Sequence, residues 1–116
     1  MESKEFIRGI LKTLILRLLS QTDKMYGYEI TQKVTELSKG DIQLTYGALY
    51  PILYKLESEG LLVTTTDVVD NRARKYYTLT PEGKKLAKTK VSELQRFTEI
   101  LTHILGDKPS TQVTIA

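Results

Sequence analysis

Residues 41–62, DIQLTYGALYPILYKLESEGLL, narrow the possible folds more than any other stretch of the chain. Ala48, Leu49, Ile52, Leu53 and Leu56 recur at helical spacing, so one side of this segment faces a core. Thr45 stands just before the periodic run, where its hydroxyl can accept from an otherwise unpaired backbone N–H. Gly60 follows the last charged turn and can take the left-handed conformation that ends a helix. The spacing therefore predicts a helix over about 45–59. On its other face Tyr46, Tyr50 and Tyr54 form one stripe, four residues apart, with Lys55 beside it. Acids appear only at Glu57 and Glu59, so the leading end can approach a polyanion without repulsion. Pro51 lacks an N–H and crowds the carbonyl of Gly47, which predicts a bent or irregular first turn. A second reading makes the tyrosines half-buried packing residues with wet hydroxyls.

Upstream, Phe6, Ile7, Ile10, Leu11, Leu14, Ile15, Leu18 and Leu19 come as pairs repeated every fourth residue. They predict a first helix over about 4–20, with an apolar stripe wide enough for both a domain core and a neighbouring chain. Residues 21–25 read as a polar break. A second helix opens at Tyr26-Gly27-Tyr28-Glu29-Ile30 and ends near Ser38 with Gly40 as its stop; Tyr28, Ile30, Val34 and Leu37 should point inward. A polar turn over 39–43 joins it to the tyrosine-striped helix, and the pair forms a helix-turn-helix. Downstream, 61–69 and 75–79 are short and β-prone, a hairpin whose tip over 70–74 carries Arg72 and Arg74. Tyr76 and Tyr77 point to opposite faces of it, so one should pack inward. Thr80-Pro81-Glu82 then starts a last helix that runs to about Leu105 and stops at Gly106. Ala87, Val91, Leu94, Thr98, Leu101 and Leu105 give that helix a heptad seam, widened by Phe97, Ile100 and Ile104. The order is helix, helix, helix, hairpin, long helix: a mainly α (α+β) chain.

A length of 116 residues fits one compact domain. With no cysteine, disulfide scaffolds, cysteine zinc sites and thiol catalysis are excluded. No signal peptide is evident, and Arg8, Lys12 and Arg17 interrupt the first apolar run, so a membrane span is not expected and a cytoplasmic location is. Catalysis finds little support. The lone histidine, His103, lies among apolar residues near the end of the last helix and reads as an interface or surface residue. No nucleophile elbow, P-loop or dinucleotide fingerprint occurs, and no cofactor or metal is expected.

The net charge of +3 says less than where the cations lie. Arg72, Arg74, Lys75, Lys84, Lys85, Lys88 and Lys90 are opposed in that stretch only by Glu82. Such a run is commonly a solvated face. Beside a helix-turn-helix it has another use, because arginines at a hairpin tip can enter a minor groove or pair with phosphates. The seam likewise allows two readings. It can pack on the first helix within one chain, or it can join two chains through Ile7, Leu11, Val91, Leu94, Phe97, Leu101 and Leu105. The second is favoured, since three helices and a hairpin already cover a small core. Leu94 and Phe97 could then line an apolar cavity for a ligand. A rival from another class is a protein-interaction module whose tyrosine stripe is a hot spot for a protein partner.

The run Tyr46-Gly47-Ala48-Leu49-Tyr50-Pro51-Ile52-Leu53-Tyr54-Lys55-Leu56-Glu57-Ser58-Glu59-Gly60-Leu61-Leu62 resembles the PadR family of transcriptional regulators. So do Tyr26-Gly27-Tyr28-Glu29-Ile30 and Arg74-Lys75-Tyr76-Tyr77-Thr78-Leu79-Thr80-Pro81-Glu82-Gly83, in the family's order and spacing. The resemblance implies a winged helix-turn-helix over residues 1–80 and a dimerisation helix over 81–106 packed with the N-terminal helix. Residues 107–116, which it does not cover, are polar and are expected to be a disordered tail. The resemblance also implies a homodimeric repressor on a palindromic double-stranded operator, relieved by a small hydrophobic or phenolic effector. It places Thr45, Tyr46, Gly47, Tyr50 and Lys55 on the reading helix, and Asn71, Arg72, Arg74 and Lys75 on the wing. Lys55 stands where the family commonly has arginine, and the chain has no tryptophan of the kind that stacks flat drugs in some small members.

Overall fold

The computed structural model describes residues 4–106. The tail expected over 107–116 lies outside the described residues. Helix α1, Lys4–Ser20, is followed by a two-residue strand β1, Met25–Tyr26, and by α2, Gly27–Leu37. Helix α3 spans Tyr46–Ser58, strands β2 and β3 span Leu62–Val69 and Arg72–Leu79, and α4 spans Pro81–Leu105. The fold class read from the sequence is the one observed, and the helix limits agree closely.

Local chemistry explains the boundaries. Thr45 caps α3 by accepting from the Ala48 N–H at 3.2 Å, and Thr80 caps α4 by accepting from the Gly83 N–H at 3.0 Å. Gly60 and Gly106 follow α3 and α4 with φ of 78° and 87°, the left-handed region where a Cβ would be strained. Pro51 lies inside α3, which runs helical through it.

The sheet is antiparallel in the order β1-β3-β2. The break expected over 21–25 therefore holds an edge strand, and Met25 is buried opposite Tyr77. Two residues of chain, too short to show a period, gave no strand signal. The wing tip also differs from expectation. Asp70 and Asn71 alone make the turn, both with positive φ, as a two-residue hairpin turn of the favoured twist requires. Arg72, Ala73 and Arg74 belong to β3, with Arg72 paired opposite Val69 and Arg74 opposite Asp67.

The core joins Leu11, Ile15, Leu16 and Leu19 of α1 to Ile30 of α2, Leu49, Leu53 and Leu56 of α3, and Leu62, Tyr77 and Leu79 of the hairpin. Three residues expected inside lie outside: Tyr28, Leu37 and Ala48 are exposed. In α2 the inner face is instead Gly27, Ile30, Thr31 and Val34. Thr31 can be buried because its hydroxyl donates to the Tyr28 carbonyl at 2.8 Å. Helix α4 lies along α1, and Thr80 fastens its start to the end of α3, donating its hydroxyl to the Gly60 carbonyl at 2.8 Å and its N–H to the Leu61 carbonyl at 3.0 Å.

Candidate nucleic-acid interface

Helix α3 presents Tyr46, Tyr50 and Tyr54 to solvent, with Lys55 exposed beside them. Tyr54 is 74% exposed, the most open of the stripe. Tyr46 and Tyr50 lean together with ring centres 5.7 Å apart. Glu57 of the helix and Glu59 at its C-cap are turned away from this face. Glu57 accepts from the Thr64 hydroxyl at 3.4 Å and lies 3.9 Å from the Lys75 ammonium, while Glu59 lies 3.9 Å from Lys12 of α1. The tyrosine face thus keeps its hydroxyls without a carboxylate among them.

Tyr50 has a second task. A Cβ on Gly27 would collide with its hydroxyl and ring, so the bare start of α2 is the seat on which this tyrosine rests. The seat fixes the spacing of the two helices at the point where α3 begins its exposed stripe. Gly47, one turn earlier on Tyr50's own helix, has only the Thr45 hydroxyl oxygen within ordinary contact of where a Cβ would stand, at 3.9 Å, and lets the backbone be approached closely. Thr45 uses its hydroxyl oxygen on the cap, leaving the hydroxyl proton free to donate outward.

On the wing, strand alternation sends Arg72, Arg74 and Tyr76 to one face and Lys75 and Tyr77 to the other. The arginines therefore part from Lys75, which sits against Glu57 and 5.7 Å from the Tyr77 ring centre. Arg74 lies 4.6 Å over the Tyr26 ring, and Tyr26 meets Tyr76 edge-on at 5.3 Å. Hydrogen bonding to Tyr76 first, with nearby Tyr26 and Asp70 adding to it, raises the Arg74 pKa above its ordinary value. Lys24 lies over Tyr76 at 4.5 Å and reaches Asp67 at 2.7 Å, and that hydrogen bond raises its pKa. Burial, then the neighbouring Tyr50 and Glu57, raises the Tyr77 phenol. Arg72 and Asn71 stand exposed at the tip, and Arg72 has no ion-pair partner among the described residues. Strand β1, missing from the sequence reading, is what brings Lys24 and Tyr26 to the base of the wing. The only signal for them was the aromatic cluster Tyr26-Gly27-Tyr28, whose residues helical spacing alone sent inward or left unassigned.

Along α4 the seam divides. Ala87 is buried, Val91 and Leu94 are half-buried, and Phe97, Leu101, Ile104 and Leu105 are exposed. Ile7 is half-buried, whereas Leu11 is 3% exposed and belongs to the chain's own core, out of reach of a partner. An apolar groove of about 750 Å³ runs between the first half of α1 and the second half of α4, lined among others by Phe6, Ile10, Leu94, Phe97 and Leu101.

The Transcriptional regulator PadR-like family model matches residues 15–89, from the middle of α1 through the wing to the start of α4. The chain belongs to the PadR-like family. Its members are transcriptional regulators rather than enzymes. The chain is 33% identical to the transcriptional regulator Rv3488 of Mycobacterium tuberculosis over 93% of its own length and 94% of that protein's. Its fold is similar to that of a PadR family transcriptional regulator from Eggerthella lenta, with a TM-score of 0.74 at 28% identity, covering 90% of this chain and 88% of that one. A transcriptional regulator from Clostridium thermocellum superposes with a TM-score of 0.77 at 29% identity, covering 85% and 96%. As a PadR-like regulator the chain carries the winged helix-turn-helix described above. Among the described residues no helix is long and apolar enough to cross a membrane, and no cluster of acids and histidines could hold a metal.

Proposed function

We propose that the chain is a homodimeric, cytoplasmic repressor that occupies a palindromic operator. The observation that carries this reading is the acid-free tyrosine face of α3 beside a wing whose tip arginine is unpaired among the described residues. Residues 1–80 form the DNA-binding region and α4 the dimerisation helix. Helix α3 enters a major groove, where Thr45, Tyr46 and Tyr50 meet base edges and Gly47 lets the backbone close in. Lys55, Asn71, Arg72 and Arg74 engage phosphates, with Lys75 in a lesser role because Glu57 already holds it. Two chains join along α4 and the start of α1 through the half-buried Ile7, Val91 and Leu94 and the exposed Phe97, Leu101 and Leu105. A two-fold pair would set its reading helices about 34–36 Å apart, one turn of duplex. The groove lined by Leu94 and Phe97 supports a further role, holding a small hydrophobic or phenolic effector that relieves repression.

Anisotropy titration of a duplex from upstream of the chain's own gene, repeated across salt concentrations, tests the interface. Replacing Arg72 and Arg74 by alanine should weaken binding to every sequence and flatten the salt dependence by up to about two units of slope. Unchanged affinity and slope would remove the wing from the interface. Salt-independent behaviour with a stable protein partner on the tyrosine face would favour an interaction module instead.

A further inference from the structure

Three of the cations on α1 and α4 are not absorbed by the DNA interface or by the chain pairing. Arg17 in the last turn of α1 and Lys84 and Lys88 in the first half of α4 line one hollow of about 410 Å³. Its other walls are Ser20, Ala87, Val91, Ser92 and Gln95, so no carboxylate faces it. Lys12, Lys24, Lys33, Lys75, Lys90 and Arg96 each have an acidic partner, and no other hollow among the described residues gathers several cations that lack one. Among the described residues Arg17, Lys84 and Lys88 have none. Of the acids flanking them on α4, Glu82 in the first turn does not line the hollow, and Glu93 is engaged by Lys90 at 3.4 Å and lines the apolar groove instead. Like charges gathered without a counter-charge repel one another, and an anion in their midst relieves the repulsion.

We propose that this hollow binds a small phosphate-bearing anion. Arg17 offers a planar fork that matches phosphate oxygens, and the two lysines supply point charges. Ser92 and Gln95 add neutral donors. The Ser20 hydroxyl proton is engaged by the Arg17 carbonyl at 2.6 Å, so Ser20 shapes the wall without donating. Ala87, buried, forms an apolar floor. A total charge of three suits a phosphate better than a lone carboxylate. The site lies where α1 ends and α4 begins, toward the other end of the helix pair from the apolar groove, and Val91 is the one residue it shares with the proposed chain pairing. An anion bridging α1 to α4 would therefore stiffen the angle of the dimerisation helix.

Isothermal titration of the full chain with inorganic pyrophosphate, at ionic strength held constant with sodium chloride, tests the site. Saturable binding of one pyrophosphate per chain is expected, with Arg17, Lys84 and Lys88 amide resonances moving together. Arg17→Gln with Lys88→Gln should weaken it by about tenfold or more. Ser92→Asp, an exposed change that sets a carboxylate among the cations, should do the same should the double variant fold poorly. Lys33→Gln with Arg96→Gln removes the same charge elsewhere and should leave binding within about twofold. Binding absent at about 10 mM, or undiminished in both site variants, overturns the proposal. A duplex arm separates a free anion from DNA backbone. The proposal requires the salt slope on DNA to stay unchanged in the double variant, and a fall of about two units without pyrophosphate binding would assign these cations to DNA and overturn it.

Discussion

Gly27→Ala and Gly83→Ala are the same chemical change with different expected results. At Gly83 the new methyl would strike the Leu61 carbonyl, a backbone atom that cannot swing aside, and the side chain of Leu79. Urea unfolding should show a loss of about 1–3 kcal/mol. At Gly27 the methyl meets the far end of the half-exposed Tyr50, which can turn outward at little cost to stability. The loss should appear in DNA affinity, with unfolding nearly unchanged. Equal stability losses at the two sites would contradict a Tyr50 free to turn outward, and unchanged DNA affinity in Gly27→Ala would contradict the seat assigned to it. The tyrosine stripe was legible because three large residues repeat at helical spacing. Tyr28 and Leu37 were misplaced because the inner face of α2 is marked by Gly27 and Thr31, which an apolar count passes over. Ala48 was misplaced for a related reason: it falls at the edge of the α3 stripe, where nothing packs over it.

Among the elements, α4 depends most on its first turn. Thr80 both caps the helix and donates to the Gly60 carbonyl, so it holds α4 to the end of α3. Thr80→Ala should cost about 1 kcal/mol, read from the urea midpoint at constant slope. Thr80→Ser should recover most of it, and an alanine variant as stable as the parent would contradict the cap. The sequence showed this start clearly, since Thr-Pro-Glu is a local signal. The wing was only half visible. Its strands were plain, but a turn closed by Asp70 and Asn71 looks in sequence like the start of a longer loop through Arg74. Pairing energy along β2 and β3 extends the ladder to Arg72, and that is a non-local effect. Strand β1 exists only because β3 offers it an edge.

For the whole molecule, one chain leaves an apolar face open along α4. Phe97 is 53% exposed and Leu105 78%, on a helix whose opposite side is already packed on α1. Heptad spacing made this face legible, whereas the division between in-chain and between-chain contacts was not, since both use the same residue types. Phe97→Asp with Leu101→Asp sets charges into the seam without touching the fully buried core, so the chain should stay folded by circular dichroism and separate into single copies. DNA affinity should then fall by about a hundredfold or more, because the second half-site no longer adds to the first. Sedimentation velocity with a labelled upstream duplex in dilute salt decides most directly. A pair of chains moving with one duplex, and the Phe97→Asp, Leu101→Asp chain moving as single copies apart from it, is the predicted result. A parent chain that sediments alone and leaves the duplex free in dilute salt would contradict it.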